Sequence, residues 1–163
     1  MTIEEVNSLS CAQFVAAMGW VFEHSPWVAQ RTWKRRPFNN VDQLHAAMTQ
    51  EVERATPEEQ LALLRAHPDL GARASMSAAS AGEQSGAGLD SLTPDEYQQL
   101  QLRNTEYREK FGFPFLYAVK GSTKYDILQA LDQRLGAAPL DELRQALTQV
   151  YRIAGSRLRD AIS

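Results

Sequence analysis

The tetrapeptide Thr56-Pro-Glu-Glu59 recurs, one residue changed, as Thr93-Pro-Asp-Glu96. Each is a helix start in three parts: a hydroxyl cap, a proline at the first helical position and a glutamate that closes a capping box. Behind each, apolar residues step by three and four. Leu61 and Leu64 follow the first; Tyr97, Leu100, Asn104, Tyr107 and Phe111 follow the second, until Gly112 stops the run. A chain punctuated in this way folds into helices packed on helices. The remaining start signals agree. Ser10-x-x-Gln13 opens a helix from about Cys11 to Phe22, and Ser25-Pro26 opens a short one. Asn40 caps a stripe of Val41, Leu44, Met48 and Val52. Ser122 or Thr123 caps a helix that Gly136 ends, and Pro139 opens the last one. No second convincing strand accompanies the apolar run Phe115 to Val119, so that run reads as an extended loop. The expected fold is all-α: a single domain over residues 1–163, a bundle of about seven or eight helices.

With 163 residues, 44% of them hydrophobic, one core is easily filled. A net charge of −3 offers nothing to nucleic acid or to an anionic membrane surface. The one basic run, Lys34-Arg35-Arg36, reads as a solvated helix end beside two packed tryptophans. A lone cysteine, Cys11, rules out an internal disulfide and a cysteine metal site. No segment has the roughly 18 apolar residues of a membrane span. Met1-Thr-Ile-Glu-Glu5 lacks the apolar run of a signal peptide, and Asp160-Ala-Ile-Ser163 is not a peroxisomal address, so a cytoplasmic setting is expected.

The chemistry gathers between Ala66 and Leu92. His67-Pro-Asp-Leu-Gly71 is followed, after small residues, by Ser80-Ala-Gly-Glu83-Gln84. His67 continues the Leu61–Leu64 stripe and should point inward; Pro68 disfavours helix at His67, which puts the imidazole at a helix end. Residues 72–88 read either as a linker or as close backbone packing around a ligand. Three polar residues sit on apolar faces: His67, Asn104 and Arg157. Each has a structural and a chemical reading. His67 is either a core histidine bonded to a carbonyl or an acid/base. Arg157 is paired either with Glu83 or Asp69, or with a substrate carboxylate or carbonyl. Glu83 is the third residue of a capping box begun by Ser80, or it works on His67. That structural reading leaves Gln84 unexplained, since its carboxamide can both donate and accept toward an amide-like ligand. His24 reads as a turn residue and His45 as packed. No phosphate-binding glycine loop, nucleophile elbow or histidine pair at metal-ligand spacing occurs, so no metal is expected.

These motifs, together with Arg36-Pro-Phe38, Asn104-x-x-Tyr107-x-x-x-Phe111-Gly-Phe-Pro-Phe115 and Arg157-Leu158, resemble those of the OHCU decarboxylases. That family acts on 2-oxo-4-hydroxy-4-carboxy-5-ureidoimidazoline in the route from urate to allantoin. The resemblance covers nearly the whole chain, and its weight lies in the joint occurrence of the motifs. It implies an all-helical enzyme with no cofactor, usually a homodimer, that forms (S)-allantoin and carbon dioxide. It implies His67 as catalytic acid/base, with Glu83 orienting it or sharing its proton. Substrate contacts then fall to Pro68, Ser80, Gln84, Arg157 and backbone groups of Phe115, Leu116, Tyr117, Ala118 and Val119. Two rivals stand beside it. One is a related helical lyase or hydrolase acting on another ureido compound. The other is a non-enzymatic helical adaptor, in which Trp27, Trp33 and Phe38 form a partner groove and an exposed aromatic patch.

Overall fold

In a computed structural model, residues 1–72 and 76–163 are described. Nine α-helices and no strand occur among them. The backbone forms two compact units, Met1–Ala66 with Val150–Ser163, and His67–Gln149.

The first unit begins with a helix the sequence reading passed over, α1 (Ile3–Ser8), started by a Thr2–Glu5 capping box. This is the helix beyond the expected seven or eight. Ser10 and Gln13 form the expected box at the head of α2 (Cys11–Met18), which buries Phe14 and Met18. That helix is shorter than expected: Gly19–Val21 tightens to a 3₁₀ turn, and His24 takes a left-handed φ of 44° in the turn after it. Next come α3 (Trp27–Thr32), α4 (Val41–Arg54) and α5 (Pro57–Arg65). The Asn40 cap and the Thr56–Glu59 box lie where the sequence puts them. Phe14 stacks on Phe38, with ring centroids 6.4 Å apart. In the last helix, α9 (Pro139–Ala161), Val150, Ala154 and Leu158 are buried on one stripe. A β-carbon on Gly155 would lie 3.0 Å from His45 Cε1. Glycine there lets the His45 ring come close enough for Nε2 to bond the Tyr151 carbonyl at 2.7 Å.

The second unit holds α6 (Ala78–Gly86), α7 (Pro94–Phe111), α8 (Lys124–Arg134) and α9 as far as Gln149. The Thr93–Glu96 box starts α7, and Gly112, with φ of 82°, ends it in the left-handed conformation that favours glycine. Thr123, rather than Ser122, caps α8. Residues 113–119 have neither helix nor strand, as the sequence leads one to expect. Tyr107 is the hub of an aromatic cluster, with Phe111, Phe113 and Phe115 centred 4.5, 5.9 and 5.4 Å from its ring.

Candidate active site

Helix α5 stops at Arg65, two residues before His67, where Pro68 disfavours a helical conformation. His67 is buried. The loop that follows is held residue by residue. Asp69 pairs with Arg108 of α7 at 2.7 Å, the Leu70 carbonyl accepts from Asn104 Nδ2 at 3.0 Å, and the Gly71 N–H donates to Gln84 Oε1 at 2.9 Å. Gly71 has a φ of 71°, and a β-carbon there would lie 2.5 Å from Leu100 Cδ2. The loop therefore sits against α7 at one of the few positions where only glycine fits.

Helix α6 corrects one reading of the sequence. Its cap is Ser77, whose hydroxyl accepts from the Ser80 N–H at 3.1 Å. Ser80 is thus the third helical residue and not a cap, and Glu83 is not the closing carboxylate of a capping box. Ser80, Gln84 and Ala87 step by four and three along the buried face, and Glu83 is half-buried beside them. At the glycines of α6, no described atom lies within 4 Å of a β-carbon built at Gly82 or Gly86, so no described protein group packs against them. The reading of residues 72–88 as close backbone packing around a ligand also extends over 73–75, which lie outside the described residues. Gln84 explains itself in part. Its carboxamide oxygen is committed to Gly71, while its NH₂ group has no hydrogen-bond partner among the described residues. The Gly71–Gln84 bond brings the His67 loop and the Ser80–Glu83–Gln84 face together.

Phe115 to Val119 is fixed by residues that the sequence reading missed. Arg134 donates through Nη1 to the Leu116 carbonyl, and its guanidinium carbon stands 4.4 Å from the centre of the Phe115 ring. Gln149 Oε1 accepts the Ala118 N–H at 2.9 Å. The charge of Arg134 is balanced by Glu142, which is 1% exposed and accepts from Arg134 Nε at 2.6 Å and from the Tyr107 hydroxyl at 2.5 Å. Burial first, and then the bond to Glu142, push the Tyr107 phenol far above its usual value, so it stays a donor. With Leu116 C=O and Ala118 N–H occupied, the N–H groups of Leu116, Tyr117 and Val119 have no protein acceptor among the described residues.

Arg157 belongs to the first unit and is 3% exposed. Within that unit a carboxylate lies beside it, that of Glu23, at 3.4 Å and 1% exposed. Its Nη1 also donates to the carbonyls of Trp20 and Val21 at 3.3 and 3.2 Å. A guanidinium so desolvated needs this many acceptors. The Glu23 signal was weak in the sequence, since that residue follows the periodic stretch of α2 in a turn.

The aromatic groove of the adaptor reading does not form. Phe38 is buried, and the Trp27 and Trp33 rings are capped by Arg31 and Arg36, with guanidinium carbons 4.6 and 4.1 Å from the ring centres. Among the described residues, no cluster of three metal-ligating side chains occurs, and no helix is long and apolar enough to cross a membrane.

The chain is similar to known proteins along nearly its whole length. The family profile described as OHCU decarboxylase matches residues 7–159. A 2-oxo-4-hydroxy-4-carboxy-5-ureidoimidazoline decarboxylase of Haloferax volcanii is 47% identical over 163 residues, covering 100% of this chain and 97% of its own. A uric acid degradation bifunctional protein of Bacillus subtilis is 43% identical over 99% of this chain, which spans 33% of that longer protein. The crystal structure of an (S)-allantoin synthase superposes with a TM-score of 0.83 at 33% identity, over 99% of this chain and 54% of that one.

Proposed function

This chain belongs to the OHCU decarboxylase family, and from that premise we propose that it decarboxylates 2-oxo-4-hydroxy-4-carboxy-5-ureidoimidazoline to (S)-allantoin in urate breakdown. The observation that carries the reading is the Gly71–Gln84 hydrogen bond, which joins the His-Pro and Ser-x-x-Glu-Gln motifs into one site. The family match runs through residues 7–159, which supports treating the whole chain as one functional domain.

The substrate carbon that loses its carboxylate carries a hydroxyl and adjoins a ring C=N bond. When the bond to the carboxylate breaks, its electron pair forms a C=C bond to the neighbouring carbon. The C=N pair moves to nitrogen, which takes up a proton. That imine is the electron sink, so the reaction proceeds without a cofactor. The hydroxyl then gives its proton to His67 and becomes a ring carbonyl, while the neighbouring carbon is protonated on one face. The net change is replacement of carboxylate by hydrogen with release of carbon dioxide. His67 is the acid/base, a role worth roughly 10²–10⁴ in rate, and Glu83 orients it. Pro68 and Ser80 line the substrate, Gln84 donates through its NH₂, and the backbone from Phe115 to Val119 binds ring and ureido atoms. Arg157 holds a carbonyl or carboxylate and stabilises developing charge. The enzyme works in the cytoplasm as a homodimer, which sedimentation equilibrium tests.

Urate oxidase and hydroxyisourate hydrolase generate the unstable substrate in place, and circular dichroism follows the product. Rapid formation of one allantoin enantiomer, lost in His67→Ala and His67→Asn proteins that remain helical, is the expected result. Slow racemic product, identical with and without the protein, rejects the reading and turns attention to other ureido compounds.

A further inference from the structure

Asn104 is an anomaly in α7. The residues a turn away on the same face, Leu100 and Tyr107, are fully buried, and Asn104 itself is 2% exposed. Its carboxamide is only half used: Nδ2 donates to the Leu70 carbonyl, while Oδ1 is buried and has no hydrogen-bond partner among the described residues. A half-satisfied amide is worse for stability than an apolar side chain of the same size, and asparagine is a poor helix former besides. Packing alone would place leucine here. The one thing asparagine supplies is an N–H aimed at the loop that carries His67.

The loop's other ties described above differ in kind from this one. The Asp69–Arg108 pair lies on the surface, with Arg108 54% exposed, where an ion pair holds little. The Gly71 bond runs to α6, and toward α7 Gly71 offers only packing against Leu100. Asn104 is therefore a buried, directional tie between α7 and the segment three residues beyond the imidazole. We propose that Asn104 is a positioning residue for His67, holding the His67–Gly71 loop against α7 through the Leu70 carbonyl at the expense of an unpaired oxygen. This deepens the reading of His67 as acid/base, and it rests on that reading for its effect on turnover.

The test is Asn104→Leu, with Asn104→Ser as a second variant should the leucine be refused by the core. Two readouts are taken. One is turnover in the coupled assay. The other is the proton–carbon resonance of the His67 ring, assigned among three histidines by single replacement of each. The expected result is a kcat lower by about 10- to 100-fold, the effect of an acid/base displaced by about an ångström. KM changes little, the melting temperature falls by what one lost buried hydrogen bond to the Leu70 carbonyl implies, and the His67 resonance shifts or broadens while those of His24 and His45 stay. A purely structural asparagine would lower the melting temperature in the same way but leave turnover and the His67 resonance at wild-type values, which would overturn the proposal. If the wild-type protein fails to act on the substrate, the decarboxylase reading falls, and the His67 resonance alone decides whether Asn104 holds the loop.

Discussion

The side-chain oxygen of Gln84 accepts the backbone N–H of Gly71 at 2.9 Å, thirteen residues away, inside the second unit. This hold on the loop and the donation to substrate proposed for the same carboxamide are separated by substitutions. Gln84→Leu removes the acceptor and leaves a buried N–H unpaired, at a cost of about 1–3 kcal/mol. Gln84→Glu keeps an acceptor and loses only the NH₂. Urea unfolding at neutral pH is expected to show Gln84→Glu near wild type and Gln84→Leu well below it. Both proteins should lose at least tenfold in turnover, because both lack the NH₂ donor that the proposed function assigns to the substrate. Wild-type turnover in Gln84→Glu would confine Gln84 to holding the loop.

Gly71 gives a second, purely steric prediction. Alanine there must hold a φ of 71° and place its methyl 2.5 Å from Leu100, which is fully buried in the same core. The strained backbone alone costs of order 1–3 kcal/mol, and the clash adds to it. Gly71→Ala should lower the urea midpoint and displace the loop that bears His67. The same change at Gly82, where nothing lies within 4 Å and the residue is helical, should stabilise by a few tenths to about 1 kcal/mol.

The helices were legible because their starts are local chemistry. Thr56, Thr93, Asn40 and Ser10 each cap where the sequence places them. Where two serines stand three apart, local chemistry is ambiguous: Ser80-x-x-Glu83 is the better capping box on paper, yet Ser77 caps α6. His67 and Asn104 were visible as polar residues on apolar stripes, a pattern that burial bears out. Glu142 and Gln149 gave no such signal. An acid in the first turn of a helix is what the helix dipole favours anywhere, and only tertiary packing makes Glu142 a buried counter-ion. The hold on Leu116 and Ala118 comes from residues 18 and 31 positions away, a range that periodicity does not reach.

Arg134 and Glu142 should therefore behave as a unit. Arg134→Met strands a carboxylate that is 1% exposed, and breaking a buried pair in this way costs about 3–5 kcal/mol. The Leu116 carbonyl loses its donor in the same variant. Replacing both residues, Arg134→Met with Glu142→Leu, should recover much of the stability while leaving the Phe115–Val119 segment unheld. The expected signature in the double variant is a raised KM with a melting temperature above that of Arg134→Met alone. A KM equal to wild type would mean that the segment keeps its shape without Arg134.

Acid sensitivity has a definite contributor in the first unit. Glu59 bonds Arg31 and also accepts the Thr56 N–H at 3.1 Å, and these bonds, that to Arg31 foremost, hold its carboxyl at about 2 against an ordinary 4.5. A carboxyl whose value is lower in the folded than in the unfolded chain stabilises the fold above the unfolded value. It loses that contribution as pH falls toward the folded one. The contribution of Glu59 is thus complete above about 4.5 and disappears between there and about 2. Glu59→Gln keeps an acceptor for the Thr56 N–H and removes the charge. The expected outcome is a lower urea midpoint for Glu59→Gln at neutral pH, with the two midpoints converging through this acid window. Added salt should narrow the gap at neutral pH, because both partners are substantially exposed, with side-chain exposures of 40% for Arg31 and 33% for Glu59. A gap that stayed constant down to pH 2 would assign the difference to the cap rather than to the ion pair.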